Sequence, residues 1–65
     1  MDEQKEYYNR FLNKYIKIIK TINNTQLYYQ GTVKAVFEDK LILDDRKLGE
    51  IPITYEGMNI LEVTE

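Results

Sequence analysis

The chain has no cysteine and no histidine. Disulfides, thiolate zinc sites and imidazole ligands are therefore excluded, and so is the most common catalytic base. No apolar run approaches the ~20 residues needed to span a bilayer. The opening residues, MDEQKE, are acidic and polar, unlike a signal or transit peptide, so a cytoplasmic protein is expected. No nucleophile sits in a pattern with a base. There is also no Gly-rich phosphate loop and no metal-ligand spacing. The expectation is a protein that is not an enzyme and that carries no cofactor and no metal.

What remains is a folded composition, 43% hydrophobic and 31% charged, on only 65 residues. A domain of that size buries about 60% of the surface its unfolded chain exposes, so its core is marginal. Small domains usually compensate with disulfides, metals or oligomerisation. The first two are excluded here, which leaves self-association. Residues 1–65 read as one domain without linkers or repeats.

Charge is unevenly spread. Residues 1–34 carry six basic and three acidic groups, whereas residues 35–65 carry three basic and eight acidic. Two solvated faces would account for this. So would head-to-tail packing of a positive surface on a negative one. A net charge of -2 does not by itself point to nucleic acid.

Residues 2–14 read as a helix, with Asp2 as N-cap, Glu3 and Glu6 early, and Arg10 and Lys14 late. Tyr7, Phe11 and Tyr15 recur every four residues, as do Tyr8 and Leu12, and this stripe is expected to pack on a sheet. YIKIIKTI, Tyr15 to Ile22, has the composition and alternation of a half-buried strand. Asn23-Asn24 is a hairpin turn. Gln26 to Phe37 is a long second strand with Leu27, Tyr29, Gly31, Val33, Ala35 and Phe37 on one face. Gly31 in its middle predicts a sharp bend or a close backbone approach. Leu41 to Leu43 is a third strand, Asp44 to Lys47 turn, and Leu48 to Tyr55 is a fourth that contains Pro52. Glu56-Gly57 turn, and Asn59 to Val63 is a fifth, with Ile60 and either Leu61 or Val63 facing inward. The fold expected is mainly β: an N-terminal helix and then a five-stranded, strongly bent antiparallel sheet over about 15–64, an open barrel of the SH3-like kind.

At this level of detail the chain resembles the Sm-like proteins (Sm, LSm and Hfq). The first family motif corresponds to YYQGTVKAVFED, with Gly31 as the motif glycine, Phe37 as the aromatic, and Glu38 where Asp is usual. The second corresponds to EGMNILEV, with Gly57 and Asn59 in place. The likeness covers roughly residues 3–64. It implies a homo-oligomeric ring, commonly of six or seven subunits and here expected within about five to seven. In such a ring the fourth strand of one subunit pairs with the fifth of the next, which would remove two open sheet edges. It also implies single-stranded RNA bound near the pore by the two motif loops. The residues carried over to that role are Phe37, Asp39, Lys40, Tyr55, Gly57 and Asn59, with Lys40 supplying charge and Tyr55 stacking on a base. Two departures bear on RNA. The loop after Phe37 is about two residues shorter than the family's, and Glu56 replaces the second motif's Arg. A carboxylate cannot donate to a base or phosphate.

Two readings of function follow. One is an Sm-like ring that binds A/U-rich single-stranded RNA. The other is an Sm-fold or SH3-like module for protein interaction or self-assembly without RNA. The acidic pairs Glu38-Asp39 and Asp44-Asp45 offer oxygen ligands for Mg²⁺ or Ca²⁺, but acidic pairs in turns are ordinarily only solvated. Lys14, Lys17, Lys20, Lys34 and Lys40, interleaved with Tyr15, Tyr28 and Tyr29, could form a stacking and phosphate-tracking surface. They could equally be the lysines that guard an exposed strand.

Overall fold

The computed structural model describes residues 3–64. The chain forms a short helix α1 (Glu3–Tyr8), a single 3-10 turn (Asn9–Phe11) and five strands: β1 (Tyr15–Ile22), β2 (Thr25–Val36), β3 (Lys40–Asp45), β4 (Gly49–Thr54) and β5 (Met58–Thr64). The helix is shorter than the predicted 2–14. Leu12 is already extended (φ -56°, ψ 131°) and Asn13 is left-handed (φ 69°), a conformation Asn tolerates and one that ends the helix. The predicted cap Asp2 lies outside the described residues. The aromatic stripe does pack on the sheet, through Tyr8, Phe11 and Leu12. Tyr7 stays half-exposed, edge-on to Tyr8 and Phe11 with Arg10 over its ring. No helix among the described residues is long and apolar enough to cross a membrane.

The strands make one antiparallel sheet in the order β4-β3-β2-β1-β5. It is not closed into a barrel, since β4 and β5 stand at opposite edges. It is nevertheless curled. In a flat sheet β1 and β4 would lie about 14 Å apart, three strand spacings. Yet the Lys20 ammonium on β1 reaches Thr54 at the end of β4, 2.7 Å from its hydroxyl. The concave side holds the core: Ile16 and Ile18 of β1, Val33 and Val36 of β2, Leu41 and Leu43 of β3, Ile53, Tyr55 and Met58.

Gly31 makes this curl possible. A Cβ there would run into the backbone carbonyl of Asp44 on β3, with the Asp45 Cα 3.0 Å away. The predicted close approach is therefore present, and only glycine permits it. Asn23 and Asn24 both adopt positive φ, as the predicted hairpin turn requires.

Three register details differ from the expected pattern. The β2–β3 ladder shifts between Val33 and Ala35, so one residue of β2 is extra. Beyond the bulge Val36 is buried and Phe37 is 45% exposed, the reverse of strict alternation from Val33. A second shift, between Lys17 and Ile18, leaves Leu61 extra on β5. Leu61 is 56% exposed and Val63 is exposed as well, so neither faces inward as expected, while Ile60 packs against the core. At the third, β3 runs on to Asp45 before turning. The Asp45 carboxylate accepts the N–H groups of Lys47 (2.8 Å) and Leu48 (3.1 Å), and the turn starts at Arg46, two residues later than predicted.

Replacing Gly31 by Ala forces β2 and β3 apart. The expected outcome for Gly31→Ala is a loss of about 2 kcal/mol or more of stability, as for other overpacked sites, read from the urea midpoint. An unchanged midpoint would show that the strand contact is loose.

Candidate nucleic-acid interface at the 37–40 and 55–57 loops

The hairpin between β2 and β3 is closed by Phe37 N–H donating to the Lys40 carbonyl (2.8 Å). Tyr55, just past β4, anchors it from below. Its N–H donates to the Asp39 carbonyl (3.2 Å), and its hydroxyl lies 2.6 Å from the Phe37 carbonyl and 2.7 Å from that of Lys40. One proton thus serves two acceptors. Three backbone carbonyls of one predicted loop are held by a single residue of the other.

Tyr55 is 5% exposed, and Tyr8 stacks on its ring at 4.1 Å and 12°. The ring cannot also stack on a base, which corrects the role expected of it. Tyr55 fixes loop geometry instead. Burial, helped by the neighbouring Tyr8 and Asp39, pushes its phenol up to about 12. Burial and the adjacent Tyr7 raise Tyr8 as well.

The ring that is available belongs to Phe37. Lys40 Nζ sits 5.2 Å from its centroid and 3.5 Å from the Asp39 carboxylate. Around them is a surface cleft of about 440 Å³ lined by Phe37, Glu38, Asp39, Lys40 and Lys5 of α1. Phe37 is half-exposed, and its ring with the Lys5 and Lys40 ammonium groups of the same cleft offers a stacking surface and cations, beside the Glu38 and Asp39 carboxylates. Lys5 was not among the predicted site residues. It comes from α1, and only the packing of the helix on the sheet brings it there.

The second loop is held by Lys20, which was expected on an exposed phosphate-tracking or strand-guarding surface and is instead buried. Lys20 is 8% exposed, and its ammonium donates to the Thr54 carbonyl (2.9 Å), the Thr54 hydroxyl and the Glu56 carbonyl. Three acceptors thus meet the three protons of the ammonium, as a buried polar group requires. The signal was present in the strand: Lys20 has the same parity as Ile16 and Ile18 and so had to face inward. Gly57 lies beside this clamp at φ +70°, and a Cβ there would come within 2.6 Å of the Thr21 carbonyl. Its own carbonyl accepts the Thr21 N–H at 2.9 Å.

Of the six predicted site residues, Phe37, Asp39, Lys40 and Tyr55 are therefore brought together. Gly57 belongs to the adjacent turn against β1. Asn59 is exposed on β5 opposite Ile19, on the side of the strand away from buried Met58. Among the described residues no group of three metal-ligating side chains comes together. In the Asp44-Asp45 pair alternation sends the two side chains to opposite faces, and the Asp45 carboxylate is already occupied. Its backbone donors, Lys47 first, hold that carboxyl below its ordinary value.

Two outcomes test the clamp. Tyr55→Phe removes the hydroxyl and takes its donor from the Phe37 carbonyl, while the Lys40 carbonyl keeps the Phe37 N–H, for an expected loss of about 1–2 kcal/mol in urea unfolding. The wild-type protein should also lose stability as pH rises from the ordinary tyrosine value of 10.0 to about 12. The folded state holds its phenolic proton more tightly over that window, so unfolding releases it and is favoured by base. The Tyr55→Phe protein should show a shallower decline, and equal slopes would refute the clamp.

No protein-family model, curated protein or solved structure matches this chain.

Proposed function

We propose that the chain is an Sm-like protein that assembles through its β4 and β5 edges into a homo-oligomeric ring and binds A/U-rich single-stranded RNA at the 37–40 and 55–57 loops. The observation that carries this reading is the exposed Phe37 ring in a cleft it shares with Lys5 and Lys40, on a loop locked to the second loop by Tyr55. The strand order supports the assembly. β4 and β5 are the outer strands of the sheet, and β5 carries the exposed apolar residues Leu61 and Val63, an edge that calls for a partner. A β4-to-β5 contact is head-to-tail and closes only as a ring or continues as a filament.

RNA binding is tested by fluorescence anisotropy with labelled oligo-U and oligo-A at low salt. Phe37→Ala is expected to weaken binding by about 1–3 kcal/mol, the range for one stacked base. Lys5→Ala and Lys40→Ala should weaken it less and flatten its salt dependence. Absence of binding at tens of micromolar protein would overturn the RNA reading. Assembly is tested by light scattering on a sizing column: a mass of several subunits, unchanged in high salt, is expected, and a monomer would refute the ring.

A second reading, a protein-interaction or self-assembly module without RNA, is favoured by one observation. Glu56 is exposed on the second loop, where it would repel a phosphate backbone. Recovery of nuclease-insensitive protein partners and no RNA in a pull-down would select it.

A further inference from the structure

We propose that the first half of β2 is a strand-docking edge for an extended acidic peptide. β2 pairs with β1 along Thr25–Thr32, but its ladder with β3 begins only at Gly31↔Asp45. Residues 25–30 therefore have a strand on one side and none on the other among the described residues. The Gln30 carbonyl shows which way the free groups point, since it accepts the Arg46 N–H at 3.4 Å, away from β1. Backbone direction repeats every second residue, so the N–H and C=O groups of Tyr28 and Gln26 face the same open side.

The surroundings select the ligand. A cleft of about 450 Å³ separates Tyr28, Tyr29 and Gln30 from Arg46, Lys47 and Leu48. Tyr28 is 67% exposed, the most of any large apolar side chain described, and Leu48 is similarly bare. They give apolar anchors on either side of the edge. Asp45, the one acidic residue lining the cleft, is committed to the backbone of its own turn, which leaves Arg46 and Lys47 as the charges a ligand meets. Alternating backbone donors and acceptors match another peptide strand, and the cations match acidic side chains on it. A nucleic acid has no such backbone repeat. This edge is distinct from β4 and β5, so docking here is compatible with a ring and independent of the Phe37 cleft.

The test uses the full chain and a fluorescein-labelled peptide, Asp-Glu-Val-Leu-Val-Glu-Asp. Anisotropy should show binding in the range of tens to hundreds of micromolar, with amide shifts in ¹⁵N spectra centred on Gln26 and Tyr28. Tyr28→Ala and the double change Arg46→Glu/Lys47→Glu are surface substitutions that should leave the circular dichroism spectrum unchanged. Each should weaken the peptide about tenfold, which is about 1.4 kcal/mol. Methylating alternate backbone nitrogens of the peptide should abolish binding, and replacing its acids by lysine should do the same. Lys5→Ala and Lys40→Ala should leave it unchanged. The proposal is overturned if the peptide does not bind, if the methylated or lysine peptide binds equally, or if shifts centre elsewhere. It is also overturned if oligo-U displaces the peptide from this edge, or if β2 pairs with β2 of a second copy and blocks it.

Discussion

The molecule depends on one close approach, the backbone of β2 against that of β3 at Gly31. Without a side chain at Gly31, β3 can cross β2 near its midpoint and end there. The second half of β2 then belongs to a half-sheet with β3 and β4, and the first half to one with β1 and β5. The curl between those halves brings Lys20 of β1 to the end of β4 and sets Tyr55 beneath the 37–40 hairpin. The same termination of β3 at Asp45 leaves the first half of β2 with no strand on the side away from β1 among the described residues. The Phe37 cleft and the bare edge are thus both products of the point at which two strands are allowed to touch.

Two polar clamps then fix how the curled parts of the sheet meet above its apolar core. Lys20 and Tyr55 each use every proton they have on main-chain or hydroxyl oxygens of a segment distant in sequence. Buried polar groups arranged this way add modest net stability, but losing one partner leaves the others unsatisfied. They therefore specify the geometry of the two loops more than they contribute to the total. The Tyr8 ring seals one clamp and links α1 to the chemistry of the loops. Lys5 reaches the cleft because of that packing.

Strands and turns were legible where a local rule dominates. Tyr15–Ile22 follows from β-branched alternation, the Asn23-Asn24 turn from tolerance of positive φ, and the Gly31 contact from a glycine in mid-strand. The misreadings arose where a non-local event overrides a local pattern. The helix read through Asn13 because charge and aromatic spacing continue past it, whereas Asn13 N–H instead binds the Val33 carbonyl. Tyr55 was read as a stacking ring because spacing cannot say that Tyr8 will cover it. Phe37 was placed on the same face as Val33 because an extra residue in a ladder leaves no mark in composition. Lys20 could have been found, for its inward parity was visible, but a lysine invites the assumption of solvent.

The extra residue between Val33 and Ala35 makes the exposure of Phe37 a question of counting. Every position after the bulge takes the face opposite to the one strict alternation would assign. Val33 and Val36 both face inward although they are three residues apart, an odd separation that a period of two cannot place on one face without an extra residue. Deleting Lys34 would bring them two apart, and plain alternation would then bury Val36 and expose Phe37 with no bulge at all. Among sequences that share this architecture, an even separation of these two inward positions would let the strand run straight, and an odd one would call for the bulge.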